Sequence, residues 1–279
     1  MEEGHRATQT ESTSTAEHVT AEWLLRVRLG VRVIFWSTLT GILGPILLGF
    51  TILRAGGAWA DLVLVYAAIF RTCLEVGALA GVFILTTPPD FNHPISGYPA
   101  LLARPIRYVS CGYLIILILQ QISRFSLWKG FSFWGGLEFQ WTIEILAPIG
   151  TTVAFMFVFI FVGKFMQGLK ADGIRHSALR FAFLYGVLSS LLFVIQVTDS
   201  TVVLNNPELW AIATVSVFGL LWIWGLLVLG RVAGKLKRIA TGHCPACDYL
   251  LFGIPEPRCP ECGVRFIAVV KTSEEPRSS

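Results

Sequence analysis

Long apolar stretches alternate with short polar segments over most of the chain, and this pattern predicts membrane-spanning helices. A hydrocarbon core of about 30 Å requires roughly 20 consecutive apolar residues in a helix. Six stretches approximate this length: residues 33 to 53, 62 to 85, 106 to 122, 143 to 163, 179 to 197 and 209 to 230. The third is the shortest and ends in two glutamines, so it is the weakest of the six predicted spans.

The two ends of the chain lack this apolar character. Residues 1 to 21 are polar, are rich in Ser, Thr and Glu, and contain no apolar segment of the signal-peptide type. Such a stretch cannot bury enough apolar surface to offset the entropy of ordering, so we predict a disordered tail. The stretch EWLLRVRLGVR, residues 22 to 32, mixes apolar residues with arginines, which predicts that it lies on an anionic inner leaflet.

Composition and loop charge agree with a membrane protein. Hydrophobic residues make up 54% of the chain and charged residues 14%, against about 25% charged in soluble domains. Short cytoplasmic segments of membrane proteins carry an excess of Lys and Arg. With six spans and both ends inside, the inner segments hold Arg26, Arg28, Arg32, Arg104, Arg107, Lys164, Lys170, Arg175, Arg180, Arg231, Lys235, Lys237 and Arg238, and the outer loops only Arg54, Arg124 and Lys129. This bias predicts a multi-pass protein of the bacterial cytoplasmic membrane, with cytoplasmic N and C termini and anionic inner-leaflet contacts.

The segment CPACDYLLFGIPEPRCPECG, residues 244 to 263, contains two Cys-x-x-Cys pairs. The four cysteines are Cys244, Cys247, Cys259 and Cys262. Paired spacing of this kind is typical of tetrahedral zinc sites, and cytoplasmic thiols stay reduced. We therefore predict one structural Zn²⁺ per chain, bound by all four sulfurs, with a dithiol redox pair and two disulfides as alternatives. Four protein ligands leave no open position for a catalytic water.

The same segment resembles the short zinc ribbons, with rubredoxin-like knuckles of the form CPxCxYxLxGxPxxRCPECG, that are attached to bacterial proteins including multi-span membrane proteins. The matching residues are Cys244, Pro245, Cys247, Tyr249, Leu251, Gly253, Pro255, Arg258, Cys259, Pro260, Glu261, Cys262 and Gly263. Asp248 departs from the pattern, which more often has Gly there. The resemblance implies metal binding rather than an activity, and it does not extend into the six-span portion.

These features predict an all-α integral membrane bundle of about six transmembrane helices with a small C-terminal β zinc ribbon. The predicted domains are a disordered tail over 1–21, a six-helix domain over 22–238, the ribbon over 239–270 and a second disordered tail over 271–279. The ribbon offers a surface to a protein partner. Its two basic residues, Arg258 and Arg265, are too few to neutralise phosphates, so nucleic acid is not an expected partner.

Two charged residues, Arg71 and Glu75, lie within the second apolar stretch. An unpaired charge near the bilayer centre costs about 2.5 to 3.5 kcal/mol on insertion scales, and residues four apart face each other on a helix. The pair is either part of an ion or proton pathway or a neutralising pair that fixes helix packing. The small residues Cys73, Gly77 and Gly81 lie nearly opposite, so this helix has two faces that require protein neighbours.

No catalytic residue is predicted. The chain lacks the H-E-x-x-H and G-x-S-x-G motifs, and Asp90 and His93 in a proline-rich loop are the nearest approach to a catalytic cluster. The predicted function is non-catalytic: a membrane protein whose zinc ribbon serves protein interaction or scaffolding. One alternative is a small-solute or ion transporter that uses Arg71 and Glu75, and a second is a membrane enzyme acting at the lipid interface.

Overall fold

The computed structural model describes residues 19–55, 60–88, 98–128, 136–198, 207–251, 258–264 and 269–270. The helices are α1 (Ala21–Ala55), α2 (Ala60–Leu85), α3 (Ala100–Trp128), α4 (Gly136–Gly168), α5 (Asp172–Thr198) and α6 (Pro207–Ala240). Two short strands, β1 (Val19–Thr20) and β2 (Val269–Val270), flank them. Apart from Val19–Ala21, the predicted tails lie outside the described residues.

The helices have the length and the composition of membrane spans. They contain 26 to 35 residues, and at 1.5 Å per residue even the shortest exceeds the roughly 30 Å of a hydrocarbon core. Five of them contain an apolar span: Trp23–Gly44, Ala100–Ile122, Ile145–Gly168, Asp172–Ile195 and Ser216–Ala240. Within α2 the described side chains form a shorter apolar stretch, Thr72–Leu85. The chain is therefore a mostly helical protein with five or six membrane-span-like helices.

The helices form a closed ring. Each packs against its neighbours in sequence, and α1 also packs against α6. The two strands pair in parallel, with Val19 opposite Val269 and Thr20 opposite Val270, so the start of α1 and the segment after the cysteines lie at one end of the bundle. We call this the ribbon end. The same end holds the C-terminus of α2 and the N-terminus of α3, because the Trp23 indole donates a hydrogen bond to the Thr87 carbonyl at 3.1 Å and contacts Tyr98.

Among the described side chains, the best-packed core lies at the ribbon end. The residues with essentially no exposed surface include Phe161, Met166, Phe181, Val232 and Leu236. Aromatic rings connect the helices there: Trp23 lies 5.8 Å from both Tyr98 and Phe165, measured between ring centroids. The carbonyl of Thr86, the residue that follows α2, accepts hydrogen bonds from Tyr98 Oη and Arg107 Nη2, both at 2.7 Å. The proline-rich connection is therefore fixed at both of its ends.

Residues 22–32, which were predicted to lie on an anionic inner leaflet, form the start of α1 and pack one face inside the bundle, while their contact with lipid stays a prediction. Helix α1 begins at Ala21, and its first turns pack inside the bundle. The buried residues of this stretch are Trp23, Leu24, Val27 and Val31. Their spacing places them on one helical face, which the other helices cover, while Arg26 is exposed. An amphipathic stretch of this kind can bury its apolar face against protein as readily as against lipid.

Helices α1 and α2 approach each other closely at glycines. A Cβ atom added to Gly81 would lie 2.7 Å from Ile34 Cγ1 and 2.8 Å from the Gly30 carbonyl oxygen. Gly77 faces Ser37 on the same side, so the predicted small-residue face of α2 does contact protein. Cys73, in contrast, is exposed and takes no part. Small residues allow the two helix backbones to approach closely. The resulting van der Waals packing stabilises the association of α1 with α2.

The glycine contact predicts a selective loss of stability. We expect Gly81→Ala to destabilise the protein by about 1 to 3 kcal/mol, because the new methyl group meets backbone atoms that must move apart. Unfolding of the purified protein in mixed micelles measures this loss. The control is Gly112→Ala in α3, where an added Cβ meets no atom within 4 Å, so stability is unchanged or slightly higher. Equal stability of the two variants would contradict the contact.

Candidate metal centre

A tight turn at the end of α6 positions the first cysteine, Cys244. The Gly242 N–H donates to the Ile239 carbonyl at 3.0 Å, and the His243 N–H donates to the Arg238 carbonyl, also at 3.0 Å. This pair of bonds is the Schellman motif, and it places Gly242 in the left-handed region with a φ of 87°. The chain therefore reverses immediately after the helix, and Cys244 follows the turn.

The four predicted ligands converge on one point. All four Sγ atoms of Cys244, Cys247, Cys259 and Cys262 lie within 4.8 Å of one another. Two of the separations are 3.7 Å, from Cys244 to Cys262, and 3.5 Å, from Cys247 to Cys259. A tetrahedral Zn–S₄ site with bonds of about 2.3 Å has sulfurs about 3.8 Å apart, whereas a disulfide joins them at about 2.05 Å. The sulfurs are therefore spaced as metal ligands are.

The two cysteine pairs lie in equivalent backbone loops. In each, the residue four positions after the first cysteine donates its N–H to that cysteine's carbonyl, and the cysteine N–H donates to the carbonyl five positions on. The bonds are Asp248 to Cys244 (3.0 Å), Gly263 to Cys259 (2.9 Å), Cys244 to Tyr249 (2.7 Å) and Cys259 to Val264 (3.0 Å). The same loop is thus built twice, and each copy presents two sulfurs to the other. An isolated antiparallel bridge joins His243, just before Cys244, to Leu250.

The four sulfurs of the cluster do not ionise together readily without a bound cation. Burial raises the pKa of Cys244. The pKa of Cys247 lies at about 12, since desolvation and the three neighbouring sulfurs raise it by more than the Tyr249 N–H lowers it. The pKa of Cys259 falls to about 7, because donors including the backbone N–H groups of Cys262 and Glu261 outweigh its desolvation. Four adjacent sulfurs therefore resist simultaneous ionisation, and a divalent ion would remove that resistance.

Asp248 attaches the first cysteine loop to helix α6. Its backbone is left-handed, with a φ of 62°, a conformation that Asp tolerates better than most residues and that Gly adopts freely. Its carboxylate accepts hydrogen bonds from Lys235 Nζ at 2.6 Å and from Arg238 Nη1 at 2.5 Å. The departure from the Gly of the zinc-ribbon pattern thus has a structural reason: the side chain joins the ribbon to the last turns of the helix.

The ion pair is formed at neutral pH. The hydrogen bond from Lys235, with that from Arg238, holds the pKa of Asp248 below its usual value. A lowered pKa means that the pair stabilises the folded protein above the normal Asp pKa of about 3.9 and loses this effect as the pH falls through the lowered one. Sequence reasoning noted Asp248 only as a departure, and it missed these contacts. The available signal was the pair of basic residues, one turn apart, at the end of α6.

Of the second pair of predicted site residues, Glu75 borders the bundle interior. Glu75 lines a cavity of about 240 Å³ that α1, α2, α3, α4 and α6 border. The Tyr113 hydroxyl lies 3.4 Å from Glu75 Oε2, and the Thr151 hydroxyl lies 2.9 Å from the Tyr113 hydroxyl. The side chain of Arg71 lies outside the described residues, so its pairing with Glu75 stays a prediction. The sequence analysis did not predict Tyr113 or Thr151 as site residues, because a single hydroxyl group within an apolar helix does not indicate a site.

Fold and cluster together define a class of protein: a helical bundle with five or six membrane-span-like helices and a C-terminal group of four cysteines arranged as a metal site. Comparison of the chain with protein-family models, with curated proteins and with solved structures finds no match. The two remaining residues of the sequence analysis, Asp90 and His93, lie outside the described part of the chain.

The ion pair of Asp248 predicts a variant that keeps the metal but loosens the ribbon. We expect Asp248→Asn to weaken ribbon attachment by about 1 kcal/mol, because Asn tolerates the left-handed backbone but leaves the largely buried Lys235 without its counter-ion. Hydrogen exchange should then be several-fold faster at the amides of residues 241–251, with an unchanged metal content. Unchanged exchange, or loss of the metal, would contradict the attachment role.

Proposed function

We propose that this protein is a multi-pass inner-membrane protein of non-catalytic type, whose cytoplasmic ribbon binds one structural Zn²⁺ and serves protein interaction or scaffolding. The observation that carries the proposal is the convergence of four sulfurs within 4.8 Å directly after α6. Thiolates in tetrahedral array are a preferred ligand set of zinc, and four protein ligands leave no position for a reacting water. The metal therefore has a structural role.

The size of the ribbon supports a structural metal. Residues 241–270 form a segment of about 30 residues, below the roughly 40 at which a chain usually needs a metal, disulfides or association to fold. Among the described side chains of the ribbon, Tyr249 and Leu250 are 43% and 52% exposed, so these two contribute little core. Metal binding supplies the missing folding free energy. The same two side chains offer an apolar contact surface to a protein partner.

The position of the ribbon supports a scaffolding role. Asp248 fixes the first cysteine loop to Lys235 and Arg238, so a partner bound at Tyr249 and Leu250 would be held at a defined place next to the bundle. The basic residues assigned to inner segments belong to helix ends and turns that meet at the ribbon end. This asymmetry favours a cytoplasmic ribbon near anionic lipid, where thiols stay reduced.

A second candidate function, transport of a small solute or ion, is favoured by the cavity at Glu75. A carboxylate that borders a cavity within membrane-span-like helices is a common feature of solute and proton pathways. Its predicted partner is Arg71, one helical turn away. This candidate is independent of the ribbon, since Glu75 and the cysteines lie in different parts of the chain. No contact among the described residues favours the third alternative, a membrane enzyme.

The zinc proposal predicts the behaviour of a cysteine variant. Purified wild-type protein should contain one zinc per chain, and Cys259→Ser should lose it, because three remaining thiolates bind far more weakly. Metal analysis measures this, and hydrogen exchange should show that residues 244–251 and 258–264 lose protection while the helices keep theirs. The control, Cys73→Ser on the exposed side of α2, should retain one zinc. Metal-free wild-type protein, or a Cys259→Ser variant that keeps its zinc, would contradict the proposal.

A further inference from the structure

The cavity at Glu75 has an acidic and hydroxyl-rich part. Among the described residues that line it, Glu75 is the one carboxylate, and none is Lys, Arg or His. The hydroxyl groups of Ser37, Thr38, Tyr113 and Thr151 lie around it. The Thr38 hydroxyl is buried and has no hydrogen-bond partner among the described residues. Carboxylate and hydroxyl oxygens all accept hydrogen bonds, so this part of the cavity suits a ligand that donates them.

The Thr151 and Tyr113 side chains connect this acidic part to α4 and α3. Thr151 Oγ1 lies 2.9 Å from both the Ala147 carbonyl and the Tyr113 hydroxyl. The Thr151 hydroxyl has one proton, so it donates a hydrogen bond to only one of these two oxygens at a time. The Tyr113 hydroxyl is in turn 3.4 Å from Glu75 Oε2. Since Tyr113 is only 5% exposed, its ring is held in place by packing. The oxygens are therefore positioned before any ligand arrives.

Aromatic rings form another part of the wall. Phe155 and Trp222 both line the cavity, and their centroids are 4.6 Å apart with nearly perpendicular planes. The Tyr185 ring packs against both, with its centroid 6.2 Å from that of Phe155 and 5.6 Å from that of Trp222. Aromatic rings bury a large apolar area, so this part of the wall suits the apolar body of a ligand. Aliphatic residues such as Ile34, Leu74 and Val158 complete the lining.

We propose that this cavity binds a small organic cation, a protonated amine with an apolar body. The ammonium group would contact the Glu75 carboxylate and the neighbouring hydroxyls, and the apolar body would pack against Phe155 and Trp222. A volume of about 240 Å³ accommodates an amine with a single ring. An anion is disfavoured by the carboxylate, and a bare divalent cation would require six or more oxygen ligands rather than apolar walls.

The proposal gives a ligand class to the transport candidate and rests on the same cavity, but it does not require transport. A ligand ammonium and Arg71, one turn away on α2, would compete for the same carboxylate. Neither point involves the cysteines, so the ribbon and this site stand independently.

The test compares benzylammonium with benzyl alcohol, a neutral molecule of nearly the same shape. Isothermal titration of the purified full chain in detergent should show saturable binding of one benzylammonium per chain, with blank micelles subtracted. The alcohol should bind at least about tenfold more weakly, because it lacks the charge. Glu75→Gln should weaken amine binding by a similar factor, while Glu75→Asp retains part of it. The matched control is Cys73→Ala, an exposed position on the same helix.

A second variant keeps the test decisive if Glu75→Gln does not fold. Ala78→Leu would fill the cavity and leave Glu75 intact, so it should abolish amine binding. The proposal is overturned by the absence of saturable binding to the wild type, by equal affinity for amine and alcohol, or by binding that survives the available variants. Amine flux into vesicles is measured separately: binding without flux would confirm the site and remove the transport candidate.

Discussion

Mutual repulsion among four adjacent thiolates is the constraint on which the C-terminal structure depends. The two equivalent loops place their sulfurs within 4.8 Å of one another, and desolvation together with the neighbouring sulfurs raises the pKa of Cys247 to about 12. A divalent cation turns this repulsion into attraction and joins the loops. Once the first loop is formed, its left-handed Asp248 reaches Lys235 and Arg238, which attach the ribbon to α6.

Local features of the sequence predicted the helices and the cysteine cluster correctly. Apolar stretches of about twenty residues predicted the helices, and the spacing of the cysteines predicted which sulfurs would meet, since both signals are set by neighbouring residues. Helix boundaries were less accurate. The apolar face of Trp23, Leu24 and Val27 has the same pattern whether lipid or protein covers it, so its burial in the bundle could not be predicted. Helix α3 likewise begins at Ala100, earlier than hydropathy alone indicated.

Contacts between segments that are distant in the chain could not be predicted from the sequence. The cavity requires five helices to surround Glu75, and nothing in the periodicity of α3 or α4 distinguishes Tyr113 or Thr151 from other polar residues in an apolar helix. The glycine face of α2 was predicted, but its partner on α1 was not, because small-residue patterns indicate close approach without naming the neighbour. Asp248 could be predicted in part: the sequence shows that it departs from the zinc-ribbon pattern, but it does not show the ion pair with Lys235 and Arg238.

A metal site of four thiolates requires that the C-terminal cysteines lie in a reducing compartment. The most direct measurement uses two fusions after Ser279 in bacterial cells, one with alkaline phosphatase, which becomes active only outside the cytoplasm, and one with a green fluorescent protein that fluoresces when it folds inside. We expect a fluorescent fusion and an inactive phosphatase. An active phosphatase with a dark fluorescent fusion would place the cysteines in an oxidising compartment, and it would contradict the zinc ribbon proposed here.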